Sequence, residues 1–183
     1  MKAERLAIPD VLLVTPDRFG DVRGFFSEVW NQARFEAAGI RGEFVQDNHS
    51  LSRERGVVRG LHCQILPHAQ GKLVRCVRGS IWDVAVDARK ASPTFGKWVA
   101  AELSAENWQQ LWIPPGFLHG FCTLEPDTEV LYKVTGLYDR DAERGVLWND
   151  RDLDLPWPVR DGEAVLSDKD RLLPSWAETG ALF

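Results

Sequence analysis

The stretch Arg59-Gly60-Leu61-His62-Cys63-Gln64, followed shortly by Lys72-Leu73-Val74-Arg75, places an imidazole, a guanidinium and an ammonium on two adjacent strand-like segments. That set suits removal of a proton from carbon beside the carbonyl of an anionic substrate. The imidazole is a base that works near neutral pH, and a fixed ammonium lowers the energy of the enolate that forms. Each group also has a plainer reading, Lys72 as an edge-strand lysine that guards against aggregation and His62 or His119 as a structural histidine. Spacing alone does not separate the two.

Side-chain parity along a strand puts His62 with Gly60 and Gln64 on one face and Leu61 with Cys63 on the other, so Arg59 points away from His62 unless the chain bends. A bulge at Gly60 resolves that conflict. Over residues 81–87 the same parity puts Trp82, Val84 and Val86 on one face and Ile81, Asp83, Ala85 and Asp87 on the other. Asp83, mid-strand among apolar neighbours, faces either a polar interior or solvent. Residues 19–28 and 44–50 interrupt strands with polar groups, and Arg23 and Arg59 together could grip a diphosphate through forked hydrogen bonds. The usual metal site of a strand-rich barrel needs two histidines one residue apart, a carboxylate a few residues on and another histidine much later. Here His62 is followed by Cys63 and Gln64, so no metal is expected.

The elements that must carry these groups are strands. Short runs with turn residues between them predict about eleven, over 11–15, 25–30, 43–50, 57–64, 72–78, 81–88, 97–103, 110–113, 119–124, 129–135 and 145–148. That is the pattern of a sandwich, jelly roll or barrel. A helix is expected over 31–38, with Asn31 as N-cap and Gly39 at its end, and a short helical turn after Ser104. With 183 residues, 44% of them hydrophobic, and no linker or repeat, residues 1–183 read as a single domain.

The net charge of -5 speaks against nucleic acid or an anionic membrane as partner, so an anionic ligand must meet a local cationic cluster. Cys63, Cys76 and Cys122 follow no disulfide or metal spacing and read as reduced core thiols. No apolar leader precedes Pro9 and no apolar run approaches ~20 residues, so a soluble cytoplasmic protein is expected. Eight tryptophans and nine phenylalanines stand against two tyrosines, Tyr132 and Tyr138, close together in the chain.

With these residues laid out, the chain closely resembles the dTDP-4-dehydrorhamnose 3,5-epimerases, cupin-type enzymes of deoxysugar nucleotide synthesis. The matching blocks are FGDVRGFFSE from Phe19, FVQDNHS from Phe44, VVRGLHCQ from Val57, AQGKLVRCVRGSIWDVAVDAR from Ala69, SPTFG from Ser92, LWIPPGFLHGF from Leu111, LYKVTGLY from Leu131, LWND from Leu147 and LSDKD from Leu166. The resemblance implies an all-β, cupin-type jelly roll with a few short helices, a homodimer, and no metal or organic cofactor. It implies that His62 is the base removing the protons at C3 and C5, with Asp170 orienting it. Lys72 matches the residue that stabilises the enolate, Tyr132 the acid on the opposite face, and Tyr138 the ring that stacks on thymine. Arg23, Glu28, Gln46, Asp47, Asn48, Arg59, His119, Glu143 and Lys169 match residues lining the nucleotide-sugar site.

One position departs from the family pattern. Cys63 stands where an aromatic residue is usual, and since it faces away from His62, altered packing and unaltered chemistry are expected. Asp83 is a second possible partner for His62 or His119. The activity implied is epimerisation of dTDP-4-dehydro-6-deoxy-D-glucose to dTDP-4-dehydro-L-rhamnose. The alternatives are a relative that inverts only C3 or only C5, a ketoisomerase on the same fold, a non-catalytic nucleotide-sugar binding module, and a metal-dependent cupin.

Overall fold

Alternation and turn residues fold this chain into a jelly roll, described for residues 1–183 in a computed structural model. The strands are Lys2–Arg5 (β1), Leu12–Thr15 (β2), Phe19–Asp21 (β3), Gly24–Phe26 (β4), Gln46–Ser52 (β5), Val58–Gln64 (β6), Lys72–Arg78 (β7), Ser80–Asp87 (β8), Trp98–Ser104 (β9), Gln110–Ile113 (β10), Phe117–Thr123 (β11), Thr128–Val134 (β12) and Glu143–Gly145 (β13). The helices are Gln32–Ala37 (α1), Asp168–Arg171 (α2) and Trp176–Thr179 (α3). A six-stranded sheet runs β1-β2-β10-β7-β12-β5, a five-stranded sheet runs β13-β6-β11-β8-β9, and β3-β4 forms a separate hairpin.

The parity read along β8 holds. Ile81 and Ala85 enter the core with Val74, Leu111, Phe117 and Val130. Trp82, Val84 and Val86 face the other way and are covered, with Leu61, Cys63 and Leu118, by Leu153, Trp157, Trp176 and Phe183 from the C-terminal segment. Burying apolar area on both faces explains why the five-stranded sheet reads as nearly continuous hydrophobic runs. Helix α1 begins at the expected cap, with Asn31 accepting from the Arg34 amide, and buries Phe35 against Leu12, Val14, Leu73 and Trp112.

Two expected strands change, and two strands appear that were not expected. The strand expected over 25–30 stops at Phe26, because Trp30 turns to pack on Phe35 and Phe44. The strand expected over 145–148 shares only Gly145 with β13; Leu147 leaves the sheet and donates its amide to Pro174 O at 2.8 Å. The short helical turn expected after Ser104 is present: Ser104 and Asn107 cap each other's amides at 2.9 and 3.0 Å, and Trp108 N donates to Ser104 O at 3.2 Å. Strands β1 and β3 carry no apolar alternation to betray them, and all their residues are exposed.

The bulge expected at Gly60 is present. His119 pairs with His62 and Phe121 with Arg59, so two steps along β11 match three along β6. Gly60 holds the irregularity at φ +111°, where a Cβ would lie 2.5 Å from the His119 carbonyl oxygen. The extra residue reverses the parity and turns Arg59 toward the cavity that His62 lines. Gly60→Ala is therefore expected to cost about 3 kcal/mol, from the left-handed φ and the backbone clash together. A urea unfolding midpoint unchanged from wild type would contradict this account of the bulge.

Candidate active site

His62 stands on β6, and the group that holds it comes from the far end of the chain. Val165 makes a parallel bridge to Val57, with Val58 N donating to Val165 O at 3.0 Å and Val165 N to Gly56 O at 2.9 Å, so the C-terminal segment is stitched alongside β6. Ser167 then caps α2, accepting from Asp170 N at 3.1 Å and donating to Asp170 Oδ2 at 2.9 Å. The other carboxylate oxygen, Oδ1, accepts from His62 Nε2 at 2.6 Å. Burial of Asp170 works to raise its carboxyl pKa, but the hydrogen bond and charge of His62 outweigh it and hold the group below its ordinary range.

Lys72 opens β7 and donates from Nζ to the His62 carbonyl oxygen at 3.3 Å. Burial pushes its ammonium pKa down, opposed by negative charge nearby, that of Asp83 and Glu143 included. Tyr132, on β12 beside Val74 and Asn48, has its phenol pKa raised by burial. His119, on β11, lies opposite His62 and bonds through Nε2 to Asp83 Oδ1 at 2.7 Å. Asp83 is fully buried, so of its two readings the polar interior is correct, and of its two possible partners it takes His119.

These groups line one cavity of about 510 Å³, shared by His62, Lys72, His119, Tyr132, Arg59, Lys169 and Asp170. An adjoining lobe of about 130 Å³ meets it at His62, Lys72 and Tyr132 and holds Gln46, Asn48, Tyr138 and Glu143. At the mouth the Tyr138 hydroxyl donates to Glu143 Oε2 at 2.9 Å, and Lys169 pairs with the same carboxylate. The bond from Tyr138 and the lysine hold Glu143 below the usual carboxylate range against the effect of burial. Arg59, Lys72 and Lys169 thus form the local cationic cluster that an anionic ligand needs in a chain of net charge -5.

Three expected site residues lie elsewhere in this chain. Arg23 sits on the β3-β4 hairpin, its guanidinium forked onto Asp21 at 2.6 to 3.2 Å. Glu28 accepts from Asn31 and Arg34 beside α1. Asp47 is on the exposed face of β5, held by Lys133 at 2.8 Å. Arg23 and Arg59 therefore do not meet within one copy. Conversely, Ser50, Ser52 and Phe121 line the cavity without having been singled out. The two-residue period that turns Gln46 and Asn48 inward would have led on to Ser50 and Ser52. Gln64 was missed as well; it bonds His68 O, Leu137 O and Asp139 N, and so fastens the loop that carries Tyr138. No three His, Cys, Asp or Glu side chains come together as a metal-ligand set.

A jelly roll whose cavity joins an imidazole–carboxylate pair, a buried ammonium and a phenol defines a cupin-type enzyme of proton transfer. The family model for dTDP-4-dehydrorhamnose 3,5-epimerase matches residues 5–178. The chain belongs to that family and is a carbohydrate epimerase. It is 57% identical over 171 residues to the dTDP-4-dehydrorhamnose 3,5-epimerase of Shigella flexneri, covering 93% of each chain. Its fold superposes with a TM-score of 0.92 on the Bacillus anthracis enzyme solved with TDP and pyrophosphate, at 51% identity over 95% of this chain and 98% of that one. The Legionella pneumophila enzyme, solved with dTDP-4-keto-L-rhamnose, gives a TM-score of 0.90 at 42% identity, covering 95% and 92%.

Because the pKa of Asp170 is depressed in the folded protein, its ionised form contributes stability that is complete above the ordinary 3.8 and is lost as pH falls through the lower folded value. The stability advantage of wild type over Asp170→Asn is expected to shrink as pH drops below 3.8. Urea midpoints across the acid range check this, and an advantage that grows on acidification contradicts it.

Proposed function

We propose that this chain inverts C3 and C5 of dTDP-4-dehydro-6-deoxy-D-glucose, giving dTDP-4-dehydro-L-rhamnose, with His62 as base and Tyr132 as acid. The observation that carries the reading is the placement of these two groups. His62 belongs to the five-stranded sheet and Tyr132 to the six-stranded sheet, so they approach the same cavity from opposite walls. Epimerisation needs that arrangement, since the proton must leave one face of the sugar carbon and return to the other.

In this mechanism Asp170 accepts from Nε2 of His62 and leaves the other ring nitrogen to take the proton. Its negative charge stabilises the imidazolium that results. Electrons from the broken C–H bond move into the C4 carbonyl, and Lys72 donates to the enolate oxygen. One such donor contributes about 3 kcal/mol to a transition state, and base and acid contribute about 10²- to 10⁴-fold. Tyr132 then protonates the carbon from the opposite face and His62 returns its proton to Tyr132 through solvent. The reaction is redox-neutral and is assigned no cofactor.

Arg59 and Lys169 are assigned to the diphosphate, Tyr138 to stacking on thymine, and Gln46, Asn48, His119 and Glu143 to the remaining contacts. We also infer a homodimer. The β3-β4 hairpin exposes Phe19, Phe25 and Phe26, and Arg23 and Glu28 beside it can meet a nucleotide sugar only in the cavity of a second copy. Asp47, held outward by Lys133, is given no part within one copy. The compartment proposed is the cytoplasm, where the three buried cysteines stay as thiols.

In deuterated water the product is expected to carry deuterium at both C3 and C5, and His62→Ala to lose exchange at both by about 10³-fold or more. Label at a single centre points instead to a mono-epimerase, and tight substrate binding with no exchange to a binding module. Tyr132→Phe is expected to wash deuterium into the substrate while losing inversion; full inversion by that variant removes Tyr132 as the acid. Sedimentation velocity checks the assembly, with wild type expected as a dimer and Phe19→Ser/Phe26→Ser as a monomer.

A further inference from the structure

His62 and His119 face each other across β6 and β11, each held through Nε2 by an aspartate. The two aspartates are not alike. Asp170 has both oxygens bonded, the second by Ser167. Asp83 is fully buried and its Oδ2 has no hydrogen-bond partner. A buried carboxylate oxygen left unpaired is destabilising, and the residues sharing its face of β8, Ile81 and Ala85, are apolar core. Packing alone does not account for an aspartate there.

An ionised carboxylate only accepts, so the ring nitrogen it faces carries hydrogen. The second nitrogen of His119, Nδ1, makes no hydrogen bond inside the chain, and the residue lines the cavity. Burial lowers the pKa of the His119 ring, with the positive charges of Lys72 and His62 acting in the same direction and Asp83 opposing. Nδ1 therefore presents a lone pair. A lone pair repels a ketone or enolate oxygen and accepts a hydroxyl.

We propose that Asp83 is a positioning residue that fixes His119 as its Nε2–H tautomer, so that the bare Nδ1 reads a ring hydroxyl beside the reacting ketone. The ketone oxygen itself is left to Lys72. The proposal rests on the reading of the cavity as the sugar site, and it extends that reading to how the sugar is told apart from its deoxy analogues.

Nitrogen-15 spectra of the imidazole rings in the whole protein test the tautomer without reliance on turnover, with His119→Phe identifying the signal. At about pH 7 the ring is expected to carry its proton on Nε2 and none on Nδ1. A proton on Nδ1, or on both nitrogens, overturns the proposal. Asp83→Asn keeps the volume of the side chain and is expected to release the ring into a mixture of tautomers. An unchanged spectrum in that variant means Asp83 fills space only and overturns its positioning role.

The hydroxyl is tested by binding in a His62→Ala background, where the keto sugar nucleotide is not consumed. There His119→Phe is expected to weaken the 4-keto sugar nucleotide and its 2-deoxy analogue about tenfold and to leave the 3-deoxy analogue unaffected. Equal weakening of all three ligands overturns the assignment. Deuterium exchange by the unaltered enzyme reports separately on the sugar-site reading, so failure of that reading is told apart from failure of this one.

Discussion

The 2.6 Å hydrogen bond between His62 and Asp170 joins residues 108 positions apart, and much of the molecule can be understood as what that bond requires. A histidine on β6 can be held by a carboxylate in the C-terminal segment only if that segment returns along the same sheet. The Val57–Val165 bridge brings it there, and the apolar side chains of Trp157, Trp176 and Phe183 keep it pressed on the sheet's outer face. The last adjustment is local. A four-residue helical turn capped by Ser167 leaves one carboxylate oxygen for the histidine and occupies the other. A buried carboxylate is tolerated here because each of its oxygens has a partner.

The second constraint is that the cavity must be open to an anion while the chain as a whole is acidic. The jelly roll meets it by turning Arg59, Lys72 and Lys169 toward one space from a bulged strand, a strand start and a helical turn. Lys72 is the extreme case, with burial working against its charge and no carboxylate bonded to it. An unpaired ammonium in that position is an unfavourable arrangement for folding alone. It becomes intelligible if a negative oxygen forms beside it during turnover. The same two sheets supply the opposing walls from which His62 and Tyr132 approach, so the stereochemical demand of epimerisation is met by layer architecture and not by a loop.

Much of the fold was legible because its signals are local. Alternation located β5 to β12 to within a few residues, Asn31 announced α1, and the conflict in parity between Arg59 and His62 was enough to require a bulge at Gly60. Strands β1 and β3 were not legible, since edge pairing of exposed polar residues leaves no apolar period to read. The strand expected over 145–148 failed because Leu147 and Trp148 are apolar for a different reason, contact with the C-terminal segment.

By itself the sequence determined the class of fold, the resemblance to an epimerase family, and the residue types able to do its chemistry, because each of these is written in short blocks. Only the tertiary structure decided that Asp83 partners His119 and leaves His62 to Asp170. It alone showed Ser50, Ser52 and Phe121 on the cavity wall, and Arg23, Glu28 and Asp47 away from it. The physical reason is that parity assigns a side chain to one of two faces, while which distant group shares that face depends on strand order and register. Those are set by packing across the whole chain.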